Sequence, residues 1–125
     1  MLSTKAAMAT VAVADFARAR DFYENTLDLK PTGTETADSA TYATGGTPLF
    51  VYQSQYAGTN QATTVSWDVG DDIKSVLERL HGKGLTFEHY DLPGVKRDGD
   101  IHDMEGFKLA WFKDPDGNIH ALMGR

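Results

Sequence analysis

The chain has 125 residues, 41% hydrophobic and 24% charged, with a formal net charge of −6 and no cysteine. Its length is close to the common size of one compact domain. The missing cysteines exclude disulfides, cysteine zinc sites and thiol nucleophiles, and the acidic balance leaves no basic stripe for nucleic acid.

Met8 to Val13 alternates with a period of two and predicts a strand. Asp15 is placed to cap a helix whose Phe16, Ala19, Phe22, Tyr23 and Leu27 recur on one face at three-to-four spacing. Two short strands then flank a Gly45-Gly46 turn. The order repeats: Thr63 to Val69 reads as a strand, and Asp71 or Asp72 opens a helix carrying Ile73, Val76, Leu77 and Leu80, with Gly84 as its stop. Phe107 to Phe112 and Ile119 to Met123 flank the turn Asp114-Pro115-Asp116-Gly117-Asn118. Each half therefore reads βαβββ. A half of this kind cannot bury its sheet alone, so the expectation is one α+β domain over 1–125, with modules at about 1–56 and 62–125. Function then belongs in the concavity of the sheets.

Strand parity sorts the side chains. Val11 and Val13 belong to the helix side, leaving Met8, Thr10 and Ala12 on the other. In the fifth strand Val65, Trp67 and Val69 form the apolar set, and Thr64, Ser66 and Asp68 look into the cup. Phe50 and Tyr52 share a face and, with Met8, make an adaptable apolar wall. In the last hairpin Gly117 supplies a left-handed residue, so that Lys113 pairs with Ile119, Phe112 with His120, Trp111 with Ala121, and Ala110 with Leu122. Placing Phe112, His120 and Leu122 on the helix side turns Leu109, Trp111, Ile119 and Ala121 toward the cup. Trp111 then offers a stacking surface for a flat ligand.

Two connections are long. Ser54 to Ala62 reads as a linker between modules, and Leu92 to Gly106 as either a lid or a plain loop. The four histidines, His81, His89, His102 and His120, fall on a helix end, a strand, a loop and a strand, without metal-ligand spacing. Asp68 reads as a wet or locally capping carboxylate, and Asp114 and Asp116 as turn formers. No apolar run approaches the roughly 20 residues of a membrane helix, and Met1 to Ala7 lacks secretory-signal features, so a cytoplasmic location is expected.

The stretches Val11-Ala12-Val13-Ala14-Asp15-Phe16 with Ala19-Arg20-Asp21-Phe22-Tyr23, Val69 to Leu80, and Phe112 to Asn118 resemble the vicinal oxygen chelate superfamily. That group includes glyoxalase I, fosfomycin-resistance enzymes, extradiol dioxygenases and bleomycin-resistance proteins. The resemblance implies paired βαβββ modules forming a curved, mostly antiparallel eight-stranded sheet around a cavity, often completed by a second subunit. In the metalloenzyme members, four strand positions carry His, Glu or Gln ligands to a divalent metal. Here those positions fall on Met8, Phe50, Thr64 and Ala121, which offer a thioether, a phenyl ring, a hydroxyl and a methyl.

The expectation is thus a non-catalytic homodimer, without metal or other cofactor, that sequesters an aromatic, largely apolar compound such as an antibiotic in a groove between subunits. Its contacts would be Met8, Thr10, Phe50, Tyr52, Thr64, Ser66, Trp111 and Ala121, with Asp68 or the hydroxyls orienting the ligand. The alternative is a lyase, isomerase or dioxygenase with relocated ligands such as His102, His120 and Glu105. A third reading is an accessory domain that only dimerises.

Overall fold

A computed structural model describes all 125 residues. They form two compact units, residues 1–61 with 115–118, and residues 62–114 with 119–125.

The first unit holds β1 (Ala9–Val13), α1 (Phe16–Asp21), β2 (Lys30–Pro31), β3 (Ser39–Ala43) and β4 (Leu49–Gln53), in the sheet order β1-β4-β3-β2. Asp15 caps α1 as its sequence suggests, the carboxylate accepting from the Arg18 N–H at 3.3 Å. The Gln53 Oε1 accepts from the Phe16 N–H at 3.0 Å, so β4 satisfies another free amide of the helix start. The helix then widens into a π turn, Phe22–Thr26, which the sequence periodicity does not announce. There the adjacent Phe22 and Tyr23 both turn inward, and Tyr23 stacks on Tyr42 of β3 at 6.1 Å. With Val11, Val13, Leu49 and Val51 they form this unit's core. Burial, and then the Glu24 carboxylate 3.0 Å from its oxygen, raises the Tyr42 pKa, so its hydroxyl stays a donor.

The second unit holds β5 (Thr63–Gly70), α2 (Ile73–Gly82), β6 (Phe87–Glu88), β7 (Lys96–Asp98), β8 (Ile101–Met104), β9 (Phe107–Lys113) and β10 (Ile119–Gly124). The sheet runs β5-β10-β9-β8-β7, with β6 also pairing β9. Helix α2 buries Ile73, Leu77 and Leu80, and its unit's core adds Val65, Phe87, Phe112 and Leu122. Asp72 is its N-cap residue but makes no side-chain cap bond. The helix ends as expected at Gly84, whose φ is +86. The Gly84 and Leu85 N–H groups bond back to the carbonyls of His81 and Leu80, a Schellman closure that needs a left-handed residue.

The α+β class and the paired modules hold, in two sheets of four and six strands. Only β1–β4 and β5–β10 pair parallel. The extra strands come from 92–106, which is not a plain loop. Gly99-Asp100 and Glu105-Gly106 are two-residue hairpin turns joining β7 to β8 and β8 to β9. Positive φ at Gly99, Glu105 and Gly106 gives these turns the twist that two-residue hairpins need. Both β6 and β8 lie along the same edge of β9, opposite Phe112 and Leu109 respectively, so residues 89–100 leave the sheet and return to it.

The turn after β9 belongs to the first unit. Asp116 does more there than form a turn: its carboxylate is almost fully buried and meets the Arg18 guanidinium at 2.6 Å. The Asn118 amide donates to the Ala12 carbonyl at 2.8 Å.

Candidate functional site

In the first unit the sheet's helix face carries Val11, Val13, Ala40, Tyr42, Leu49 and Val51, all buried. The opposite, open face is set by register. Thr10 lies against Phe50, Ala12 against Tyr52, and both aromatics pair on their other side with Thr41 and Ser39. The Phe50 and Tyr52 rings stack at 5.8 Å and 10°. Met8 stands exposed one residue ahead of β1, on the Thr10 parity. The four site candidates of this module therefore share one side.

In the second unit the β9–β10 pairs are Lys113–Ile119, Phe112–His120, Trp111–Ala121 and Ala110–Leu122, as the turn predicts. Ser66 pairs with Ala121 and Asp68 with Met123, so Ser66, Asp68, Trp111 and Ala121 share the open face. Thr64 follows their parity, but it is the extra residue of a bulge, since β10 pairs with Thr63 and Val65 on either side of it. Asp68 accepts from the Gly70 N–H at 3.1 Å and is exposed, the local cap its position suggests. Ala121 is covered, with 3% exposure, so only its neighbours present contact area. Met123, Leu109 and, at the hairpin tip, Met104 and Phe107 extend the open face with apolar surface. Those last two are exposed large hydrophobics.

Trp111 is packed on by two rings, His102 at 4.8 Å and 79° and Tyr90 at 5.2 Å and 77°. His102 lies opposite Leu109, and Leu109 opposite Met123, so His102 sits on the open face of a strand and not in a loop. It is fully buried. Its Nε2 accepts from the Tyr90 N–H at 3.0 Å, which leaves Nδ1 as the protonated nitrogen of the neutral ring. Burial raises the Tyr90 pKa and keeps its hydroxyl protonated.

His120 occupies the other face. It is fully buried, stacked on Phe112 at 4.8 Å and on Trp67 at 6.1 Å, and its Nδ1 accepts from the Trp67 indole N–H at 3.0 Å. Desolvation lowers its pKa to about 3. Trp67 thus packs, half-buried, on the helix side of the sheet with its one polar atom satisfied. His81 and His89 bond to different oxygens of Asp100, at 2.7 and 2.6 Å. The His89 bond is the main cause of the lowered Asp100 pKa.

The chain matches the model of the Glyoxalase/Bleomycin resistance protein/Dioxygenase superfamily over residues 5–122. It belongs to that superfamily. Among solved structures, it is similar to a lactoylglutathione lyase from Agrobacterium tumefaciens, with a TM-score of 0.70 and 14% identity over 97% of this chain and 93% of that one. It is also similar to the fosfomycin resistance protein FosX from Listeria monocytogenes, with a TM-score of 0.66 and 15% identity over 100% and 93%. An integron cassette protein from the Halifax Harbour sewage outfall metagenome gives a TM-score of 0.71 and 13% identity over 98% and 99%. At these identities the likeness establishes the fold alone. No curated protein sequence matches the chain.

The metal held by enzymes of this superfamily does not fit the residues present. Neither Met8 and Phe50 in one unit nor Thr64 and Ala121 in the other offers a carboxylate or imidazole. The relocated set fails on geometry. His102 shares a face with Leu109 and Met123, whereas His120, three residues before Met123, projects from the opposite face. Glu105 is exposed in the β8–β9 turn. No group of three His, Asp or Glu side chains is arranged to hold a metal ion; in the Asp100 cluster the carboxylate itself lies between the two imidazoles.

Proposed function

We propose that the protein captures a planar, largely apolar small molecule, of the aromatic antibiotic kind, and sequesters it without transforming it. In this reading residues 1–125 are a single domain of the glyoxalase/bleomycin-resistance kind, and a homodimer is the working form. The observation that carries it is the chemistry of the open faces: stacked Phe50 and Tyr52 on one sheet, and Trp111 with Leu109 and Met123 on the other. Apolar burial there supplies affinity, and neighbouring hydroxyls such as Thr10 and Ser66 supply orientation. Resistance by sequestration is the biological role that follows.

Tryptophan fluorescence titrated with a panel of planar aromatic antibiotics tests this. Trp111→Ala should weaken binding by about 1 to 3 kcal/mol with the fold intact. Trp67→Phe, on the buried face, should leave affinity unchanged. Equal affinity in wild type and the Trp111 variant would reject the assignment of Trp111 to the ligand.

A further inference from the structure

Two buried polar atoms of the second unit have no hydrogen-bond partner, the Tyr90 hydroxyl and His102 Nδ1. Native interiors leave few such groups, because an unsatisfied buried donor or acceptor loses its hydration with nothing in return. The ring contact between His102 and Trp111 can supply at most a weak N–H···π interaction, which does not replace a hydrogen bond. Both atoms belong to side chains packed on Trp111.

Tyr90 also lines a pocket of about 320 Å³ with Asp91, Leu92, Pro93, Val95 and Arg97, at the lower end of the size range of small-molecule sites. The pocket wall is the excursion between β6 and β8. It is lightly held: all three residues of β7 are exposed, β7 pairs only with β8, and Gly94 has a positive φ. Two fastenings fix its ends, the Tyr90 N–H on His102 and Asp100 on His81 and His89. A wall held to the sheet only by these fastenings and by the pairing of β7 with β8 can swing aside without disturbing β9 or β10.

The geometry points to a polar anchor for the ligand made by His102 and Tyr90, so that the molecule bound at Trp111 is a planar aromatic carrying a carbonyl oxygen on its edge. The His102 Nδ1–H donates to that oxygen, and the Tyr90 hydroxyl donates to it or to a neighbouring acceptor. This deepens the proposed function and rests on Trp111 being the ligand's stacking surface. It names a specificity determinant, since a carbonyl-free analogue would leave both buried groups unpaired.

The test uses two probes of matched shape, quinolin-2(1H)-one and naphthalene, with ¹⁵N-labelled protein and long-range ¹H–¹⁵N spectra of the imidazole and indole groups. The quinolone should shift the His102 Nδ1 and Trp111 signals and bind about tenfold more tightly than naphthalene, which should move Trp111 alone. Tyr90→Phe, which removes a hydroxyl without a partner, should fold as well as wild type and cut the preference severalfold. His102→Gln should abolish the His102 signal and most of the preference for the quinolone. If both probes move Trp111 with equal affinity and His102 is unmoved, the anchor is wrong while the stacking surface stands. Neither probe moving Trp111 would overturn both.

Discussion

Below pH 6.5 the wild-type protein should lose stability relative to a His120→Gln variant, by on the order of 1 kcal/mol per pH unit as the pH falls toward about 3. His120 is sealed among Phe112, Trp67 and the α2 side of its sheet, so its charged form has no water to solvate it, and its pKa falls from 6.5 to about 3. The sign follows from proton counting. Between those two pH values the unfolded chain binds a proton at this residue and the folded chain does not, so acid favours unfolding. The stabilisation is complete above pH 6.5 and is lost progressively as the pH drops. Glutamine keeps an acceptor for the Trp67 indole N–H but cannot titrate. Urea melts of both proteins at pH 7.5, 6, 5 and 4 measure the difference, to which carboxylates shared by the two proteins do not contribute. Parallel curves would mean that His120 is solvated or charged in the folded state.

Replacing Gly58 by alanine should be the most damaging single methyl addition in the first unit, at about 3 kcal/mol, or a melting temperature about 10 °C lower. Gly58 has φ +74, a region that costs an L-residue roughly 1 to 2 kcal/mol. The added Cβ would also stand 2.5 Å from the Asp116 carbonyl oxygen, a backbone atom that cannot rotate away. Asp116 is itself held by Arg18, so the turn carrying it yields only by stretching the bond between its buried carboxylate and the half-exposed guanidinium. Gly33→Ala is the control: its φ is +94 with open space around the new methyl, so it carries the conformational cost without the clash. Thermal melts should rank the two variants at least 1 kcal/mol apart, and equal losses would show that the 54–62 connection does not rest against the turn.

What the sequence revealed and concealed follows from how local each cause is. The β9–β10 register was legible pair by pair, because one turn with Gly117 in the left-handed region fixes every pair behind it. The faces of β1, β4 and β5 were legible from alternation for the same reason. The strands β7 and β8 were not, since Val95 to Gly106 is polar and glycine-rich and shows no alternation. The usable signal was turn chemistry: Asp98-Gly99-Asp100 and Glu105-Gly106 are short glycine turns that mark two further hairpins. Reading the segment as a loop hid His102, which β8 carries onto the open face beside Trp111. The Arg18–Asp116 pair, 98 residues apart, and the Gly58 contact depend on tertiary placement that no local pattern encodes. The π turn at Phe22 also lacked a periodic cue.

The reading of this superfamily member as a binder rests on open sheet faces that offer rings, methyls, thioethers and hydroxyls. Its most direct test is ligand titration, followed by Trp111 fluorescence in a Trp67→Phe background, of protein exhaustively dialysed against EDTA and of the same protein resupplied with zinc, manganese or ferrous iron. The expected result is saturable quenching by a planar aromatic antibiotic with one affinity in every sample and the compound recovered unchanged. Binding that appears only after a metal is returned, or turnover of the compound, would contradict it.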